Sequence, residues 1–392
     1  MRILYLSSLF PRPGHELASP FNRLQLAALA RRHEVAAVVP VGWLERFRQR
    51  ASYRHLPAPV ERDGVRVWHP TYFYPPRVLR HLYGECYLAS VREAVRRVIA
   101  TFRPDVLLSC WAHPDGWAAV RLGREAGLPV VIKVIGSDVL VTTEDDRRRV
   151  RVAEALREAD GVVAVSRDLA ERSVRLGAEP GRVNVVPEGT DLELFTPGDR
   201  TAARRRLGLA DTGRVILFVG NVLLSKGAGV LAEACGRLAG GGSEFTCYVV
   251  GRGPDADRAK AIAERYGVGG RVLLVGPKPQ AELPDWYRAA DVVTLPSYSE
   301  GIPNVLREAI ACGVPFVATT VGGIPELVRG PAGRLVPPGD AVALAEALRA
   351  TLTDPPAVTA ADRAVNISWA ESAERLAGRL GVVRPASAPV AI

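Results

Sequence analysis

Short apolar, β-branched runs return along this chain, separated by stretches of helical spacing, and the runs show no polar alternation. RILYLSS (2–8), EVAAVVP (34–40), DVLLSC (105–110), PVVIKV (129–134), GVVAVS (161–166) and VNVVP (183–187) are such runs in the first half. Between them, PFNRLQLAALARR (20–32), residues 144–159 and the stretch leading to Leu176 carry apolar residues at helical intervals. A strand that is apolar on both faces has no side for water. Alternation of such strands with helices predicts a parallel sheet covered on both faces. The pattern stops at the polar, turn-rich PEGTDLELFTPGDR (187–200) and restarts with RVILFVG (214–220). FTCYVVG (245–251), RVLLVG (271–276), DVVTLPS (291–297) and PFVATT (315–320) follow, with helical segments between them. The expected fold class is α/β, with two doubly wound domains facing each other across a cleft. The expected divisions are 1–195 and 196–367. A helix over 368–383, which begins with the amphipathic SWAESAERLAGRL, is expected to pack back on the first domain, and 384–392 to form a disordered tail.

A chain of 392 residues is too long for one ordinary core, which fits the two-domain reading. No apolar stretch approaches the roughly 18 residues needed to span a bilayer. The opening MRILYLSSLF reads as a first strand, not as a secretion signal. Cys86, Cys110, Cys235, Cys247 and Cys312 are scattered and form no CxxC pair, so neither a disulfide framework nor a zinc site is expected. A reducing cytoplasm suits them. Residues 1–190 carry 29 Arg and Lys against 21 Asp and Glu, or +8, out of the whole chain's +9. No nucleic-acid-binding module accompanies that excess, and nucleic acid is not an expected partner.

Ligands of doubly wound sheets bind beyond the carboxyl ends of the strands, so the loops there hold the candidate residues. In LFVGNVLLSKG (217–227), Gly220 and Asn221 leave a strand and Lys226 precedes a helix, a place suited to a diphosphate. YVVGRGPD (248–255) brings Arg252 within a glycine turn, which lets backbone approach a ligand. SEGIPNVLREAIACGVP (299–315) sets Glu300 before a tight Gly301-Ile302-Pro303 turn and Glu308 in the following helix, which starts at Asn304 and Val305. Backbone N–H groups and the positive end of a helix dipole lie between the two carboxylates. Such a pair can bind sugar or ribose hydroxyls, or serve as the acid and base of a hydrolase. His113 in SCWAHPDGWA (109–118) and Asp138 in VIGSDV (134–139) follow apolar strands, with a structural histidine and a helix-capping aspartate as the plain alternatives.

Taken together, FVG…SKG, VVGRGP, DVVTLPSYSEGIPNVLREAIACGVPFVAT and GGIPELV (322–328) resemble the retaining glycosyltransferases of family 4, as do AVSRDL (164–169) and VNVVPEGTDLELFTP (183–197). The resemblance spans nearly the whole chain and is strongest over 183–330. It looks most like the branch that builds exopolysaccharide and cell-surface glycans. It implies a GT-B fold of two Rossmann-like domains. It also implies transfer of a sugar from a nucleotide diphosphate donor, UDP before GDP, with retained configuration and no bound metal or other cofactor. Carried over, Glu308 holds the donor ribose and Glu300 the sugar hydroxyls. Lys226 and the N–H groups of 302–305 hold the diphosphate. Gly276, Pro277 and Lys278 meet the base, and His113 sits by the sugar. Asp138 and Ser19 lie on the acceptor side. Many members carry Arg where this chain has Asn221, and Arg252 on the next loop is the candidate replacement for that cation. The usual glycine-rich turn after the first strand is also absent, since 9–24 contains only Gly14. A non-catalytic nucleotide-sugar-binding relative is the alternative that the lost cation suggests.

The acceptor implied is a glycan or a lipid-linked glycan. Two stretches mix aromatic and basic residues, WLERFRQRASYRHL (43–56) and YFYPPRVLRHLYGECYL (72–88). Together with the charge excess they suggest peripheral contact with anionic lipid on the inner face of the plasma membrane.

Overall fold

The computed structural model describes residues 1–16, 19–53, 59–76 and 82–383; the expected disordered tail, 384–392, lies outside them. The chain forms two compact units, one of Met1–Gly189 with the C-terminal stretch from Trp369, the other of Thr190–Ser368. The boundary therefore precedes 195. Thr190 pairs with Ser368 in a parallel bridge, its N–H bonds Ile367 O at 2.8 Å, and Phe195 is buried in the second unit's core.

The strands of the first unit are β1 (Arg2–Leu6), β2 (Glu34–Val38), β3 (Val41–Gly42), β4 (Val60–Arg62), β5 (Val65–Trp68), β6 (Thr71–Tyr72), β7 (Val106–Cys110), β8 (Val130–Val134), β9 (Gly161–Ala164) and β10 (Val183–Val185). They form a sheet in the order β10-β9-β8-β7-β1-β2-β5-β4, and β3 with β6 form a separate two-stranded piece. Only the β4–β5 pair is antiparallel within the large sheet. Successive residues of β1 enter different cores, Leu4 and Leu6 on one face and Ile3 and Tyr5 on the other. The helices Tyr83–Phe102, Trp117–Ala126 and Asp146–Glu158 cover the first face. Pro20–Ala30 and Trp369–Val382 cover the second. Buried Lys133 in β8 ties this second face together. Its ammonium donates to Gln25 Oε1 at 2.7 Å and Glu188 Oε1 at 2.9 Å, and Gln25 Nε2 donates to Ser372 Oγ at 2.9 Å.

The second unit contains β11 (Arg214–Val219), β12 (Phe245–Val250), β13 (Val272–Gly276), β14 (Val292–Leu295), β15 (Phe316–Thr319) and β16 (Gly333–Val336). The order is β13-β12-β11-β14-β15-β16, all parallel. The chain fills one side of β11 first and then crosses to β14. The crevice at such a reversal is where open α/β sheets take ligands.

Candidate functional site

The reversal between β11 and β14 brings together the loops that carry Lys226 and Glu300. Tyr298 N–H donates to Ser225 O at 2.9 Å, stitching one loop to the other. Gly227 has φ 75°, and a Cβ there would lie 2.0 Å from Pro296 O, so only glycine permits this approach. Lys226 Nζ then lies 2.8 Å from Glu300 Oε1. Ser297 Oγ donates to the same oxygen at 2.7 Å. On the far side of the turn, Gly323 N–H donates to Gly301 O at 2.7 Å.

Pro303 precedes the helix Asn304–Ala311 in an extended conformation and makes no side-chain cap. The first N–H groups of a helix have no carbonyl partner within it and gather the positive end of its dipole. Pro303 has no N–H, so the donors expected over 302–305 reduce to Ile302, Asn304 and Val305. Farther along the helix, Glu308 Oε2 accepts from Tyr287 Oη at 2.6 Å. Burial pushes the Glu308 carboxyl above the ordinary glutamate value, against the pull of the Tyr287 hydroxyl and Arg307.

The loops after β11, β12 and β13 form one ledge. Gly220 N–H donates to Val250 O, Gly251 N–H to Gly276 O and Val222 N–H to Arg252 O, each at 3.0 Å. A Cβ on Gly251 would fall 1.8 Å from Gly220 O. Asn221, Arg252 and Pro277 are exposed along this ledge. Lys278 Nζ stands 5.6 Å from the centre of the Trp286 ring.

In the first unit, His113 lies in an irregular turn, 112–116, beyond β7. It is 3% exposed and packs edgewise on Tyr83 and Trp117. Its Nε2 has no hydrogen-bond partner among the described residues. Burial, then Arg151 and Arg148, lowers its pKa to about 4, so the ring is neutral at physiological pH. Asp138, expected on the acceptor side, is fully buried. Its buried carboxylate accepts from the N–H groups of Gly136, Ile135 and Ala112 at 2.9, 3.2 and 3.3 Å, so it holds the backbone of two loops. Ser19 sits at the start of Pro20–Ala30 in a left-handed conformation (φ 48°) and makes no side-chain cap.

Several partners escaped sequence reasoning. Asp115, two residues past His113, is fully buried and accepts from Ser8 N–H and Tyr87 Oη, both at 2.6 Å. It fixes the His113 turn against the loop after β1 and the helix Tyr83–Phe102. Burial pushes its pKa up to about 6 despite these donors. The HPDG spacing was visible, but the partner tyrosine is far away in sequence. Ser297 and Tyr287 were missed for the same reason: a hydroxyl gains its role only from the carboxylate that folding places beside it.

The aromatic stretches also divide. Tyr72, Tyr83 and Tyr87 turn inward and pack together, with Tyr72 Oη and Tyr83 Oη 2.9 Å apart. Phe47 (70% exposed) and Phe73 (53%) stay outside, and Trp43 stacks on Phe73 at 5.6 Å. Residues 54–56 and 77–81 of these stretches lie outside the described residues. No helix among the described residues is long and apolar enough to cross a membrane. Among them there is also no group of three or more His, Cys, Asp or Glu suited to a metal ion.

Comparison with known proteins agrees with this architecture. Residues 213–354 match the family described as glycosyl transferases group 1, and residues 19–189 match the glycosyl transferase 4-like domain. A D-inositol 3-phosphate glycosyltransferase of Catenulispora acidiphila is 34% identical over 360 residues, 83% of each chain. The protein of the same description from Mycolicibacterium gilvum is 35% identical over 311 residues, 74% of this chain and 69% of that one. Among solved structures, Anabaena HepE in complex with UDP superimposes with a TM-score of 0.74 at 19% identity, covering 98% of this chain and 100% of that one. Sucrose-phosphate synthase from Thermosynechococcus elongatus gives 0.73 at 23% identity, covering 97% and 94%. These two establish the fold. With parallel sheets in both units, paired domain matches and relatives over most of its length, the chain belongs to the family 4 glycosyltransferases of GT-B fold.

Proposed function

We propose that this enzyme moves a sugar, with retention of configuration and without a metal, from a nucleotide diphosphate sugar to a hydroxyl of a glycan or lipid-linked glycan. UDP is the favoured nucleotide and GDP the next. The observation that carries the reading is the Lys226–Glu300 pair at the β11–β14 reversal, beside the start of Asn304–Ala311. As the glycosidic bond to the diphosphate breaks, negative charge gathers on the leaving phosphate. Lys226 and the N–H groups of Ile302, Asn304 and Val305 are fixed donors for that charge, and fixed donors stabilise a transition state without reorganising. Arg252, exposed beside Asn221 on the ledge, supplies the second cation. Glu300, held by Ser297, binds sugar hydroxyls, and Glu308 binds the ribose. Gly276, Pro277 and Lys278 meet the base. His113, neutral and with an open Nε2, is a hydrogen-bond partner for the transferred sugar.

The acceptor has two readings. Exposed Phe73, stacked on half-buried Trp43, and Phe47, beside exposed Arg48 and Arg50, suit work at an anionic membrane surface on a lipid-linked glycan. The names of the curated relatives favour inositol 3-phosphate instead. The deciding experiment offers UDP-glucose, UDP-galactose, UDP-N-acetylglucosamine and GDP-mannose, with EDTA, to lipid-linked saccharides and to inositol 3-phosphate, and reads the anomeric configuration of the product by NMR. A retained product on the lipid-linked saccharide supports the reading. An inverted product, or turnover abolished by EDTA and restored by a divalent metal, removes it.

A further inference from the structure

The stretch GGIPELV (322–328), which carries part of the family resemblance, follows β15 and lies against the loop that carries Glu300. Gly322 has φ 53°, and a Cβ there would fall 1.8 Å from Glu300 O and 2.9 Å from Glu300 C. Only glycine lets the two backbones approach so closely. Beside it, Gly323 N–H donates to Gly301 O at 2.7 Å. At the end of β15, buried Thr319 donates its hydroxyl to Ser297 O at 2.6 Å. The turn is therefore held from this side at Ser297, Glu300 and Gly301, while Tyr298 and Pro296 meet Ser225 and Gly227 on the other. We propose that Gly322 and Ser297 are positioning residues for Glu300: they fix its main chain and one carboxylate oxygen, so that the other, Oε2, is the oxygen presented to a hydroxyl of the donor's sugar. The proposal rests on the nucleotide-sugar reading and deepens it.

The hydrogen bonds of the carboxylate select the oxygen. An ionised carboxylate accepts only, and each of its two oxygens has room for about two donors. Oε1 takes Ser297 Oγ at 2.7 Å and Lys226 Nζ at 2.8 Å, which fills it. Among the described residues no donor reaches Oε2. Ser297 is fully buried, whereas the Glu300 side chain is 10% exposed. The serine therefore works as an anchor behind the carboxylate, and the open oxygen is left for a ligand. Lys226 uses one of its three donors on Oε1, which leaves two for the diphosphate. A glutamate side chain held at its main chain and at one oxygen has already lost the rotamer freedom that sugar binding would otherwise remove. The same geometry explains the glycine. A Cβ on Gly322 presses on Glu300 O and moves the main chain from which the side chain extends. Hydrogen bonds weaken steeply with distance and angle, so a displaced main chain misaims Oε2.

The test is calorimetry on the full chain with UDP, UDP-glucose, UDP-galactose, UDP-N-acetylglucosamine, GDP and GDP-mannose. Ser297→Ala and Gly322→Ala are measured alone, and Ser297→Ala again beside Glu300→Ala, which removes the carboxylate. Each single variant is expected to weaken the best-bound nucleotide sugar about five-fold or more and to keep the parent nucleotide within about two-fold of wild type. Beside Glu300→Ala, Ser297→Ala is expected to cost less than about two-fold, because the group it positions is gone; a merely structural serine would cost the same in both backgrounds. The proposal is overturned if either single variant leaves nucleotide-sugar affinity unchanged, if Ser297→Ala weakens the parent nucleotide as much as its sugar, or if its cost persists without Glu300. If Gly322→Ala does not fold, Ser297→Ala decides. A wild type that binds no nucleotide defeats the nucleotide-sugar reading and this proposal with it, whereas normal nucleotide binding with any of the contrary results above defeats this proposal alone.

Discussion

Lys226 Nζ rests 2.8 Å from Glu300 Oε1, each residue on its own side of the strand reversal in the second unit. The pair is partly open to solvent, and exposed pairs of this kind contribute only about 0–1 kcal/mol to stability. Its consequence is placement of an ammonium and a carboxylate at one edge before any ligand arrives. Lys226→Ala is expected to lower kcat/KM by about 100-fold, as loss of a fixed donor to a leaving group does, with little change in melting temperature. Glu300→Gln is expected to lower kcat while leaving the UDP dissociation constant within about three-fold of wild type. Calorimetry with UDP and steady-state rates check both, and equal damage to binding by the two variants contradicts the division of roles.

Glu308 makes a separate claim on the nucleotide. A carboxylate that bonds a ribose diol contributes about 1.5–3 kcal/mol, so Glu308→Ala is expected to weaken UDP binding about 10- to 100-fold. Tyr287→Phe removes the hydroxyl that orients Glu308 and is expected to cost less, about three-fold. Free uracil, which has no ribose, serves as control: its weak binding, measured by NMR, is expected to be unchanged by Glu308→Ala.

His113 supplies a pH signature. The unfolded chain takes up this proton near 6.5 and the folded chain near 4, so between these values the unfolded state binds more protons and stability rises with pH. The contribution is complete above about pH 6.5 and is lost as pH falls toward 4. Asp115 works the other way: its folded value near 6 lies above 3.8, so the folded state binds more protons in that interval. Asp115 is present in wild type and in His113→Gln alike, so the comparison isolates the histidine. Between pH 7 and pH 5 wild type is expected to lose on the order of 2 kcal/mol more than His113→Gln, read from urea midpoints. The same variant is expected to keep UDP affinity and lose transfer. Transfer at the wild-type rate removes His113 from the site.

The outward aromatic residues predict contact with anionic lipid. Vesicles containing about one-third phosphatidylglycerol at low salt are expected to sediment wild type and to release Phe47→Ser/Phe73→Ser, while neutral vesicles sediment neither. Equal sedimentation with neutral and anionic vesicles contradicts the contact.

The alternation of apolar strands with helices was legible because parallel strands buried on both faces leave a strong local trace. The β4–β5 hairpin carried its own signal and was passed over. VERDGVRV places Asp63 and Gly64 at the turn, with φ 52° and 78°, the backbone that an Asp-Gly hairpin turn requires. In the second unit the candidate loops were legible because Gly227, Gly301 and Pro303 mark their turns locally. In the first unit, loops are held by contacts that sequence spacing does not show. Asp115 reaches Ser8 and Tyr87, and Asp138 reaches back to Ala112, contacts between residues that lie far apart in the chain.

The central claim is a nucleotide diphosphate site at the β11–β14 reversal that needs no metal. The most direct measurement is the thermal shift of wild type and Lys226→Ala with UDP, GDP and ADP, each with and without EDTA. A ligand at 100 times its dissociation constant adds about 2.7 kcal/mol of stability, which a melting curve resolves readily. The expected result is a shift with UDP larger than with GDP or ADP, unchanged by EDTA and reduced in Lys226→Ala. No shift with any nucleotide, or a shift that EDTA abolishes, contradicts the account.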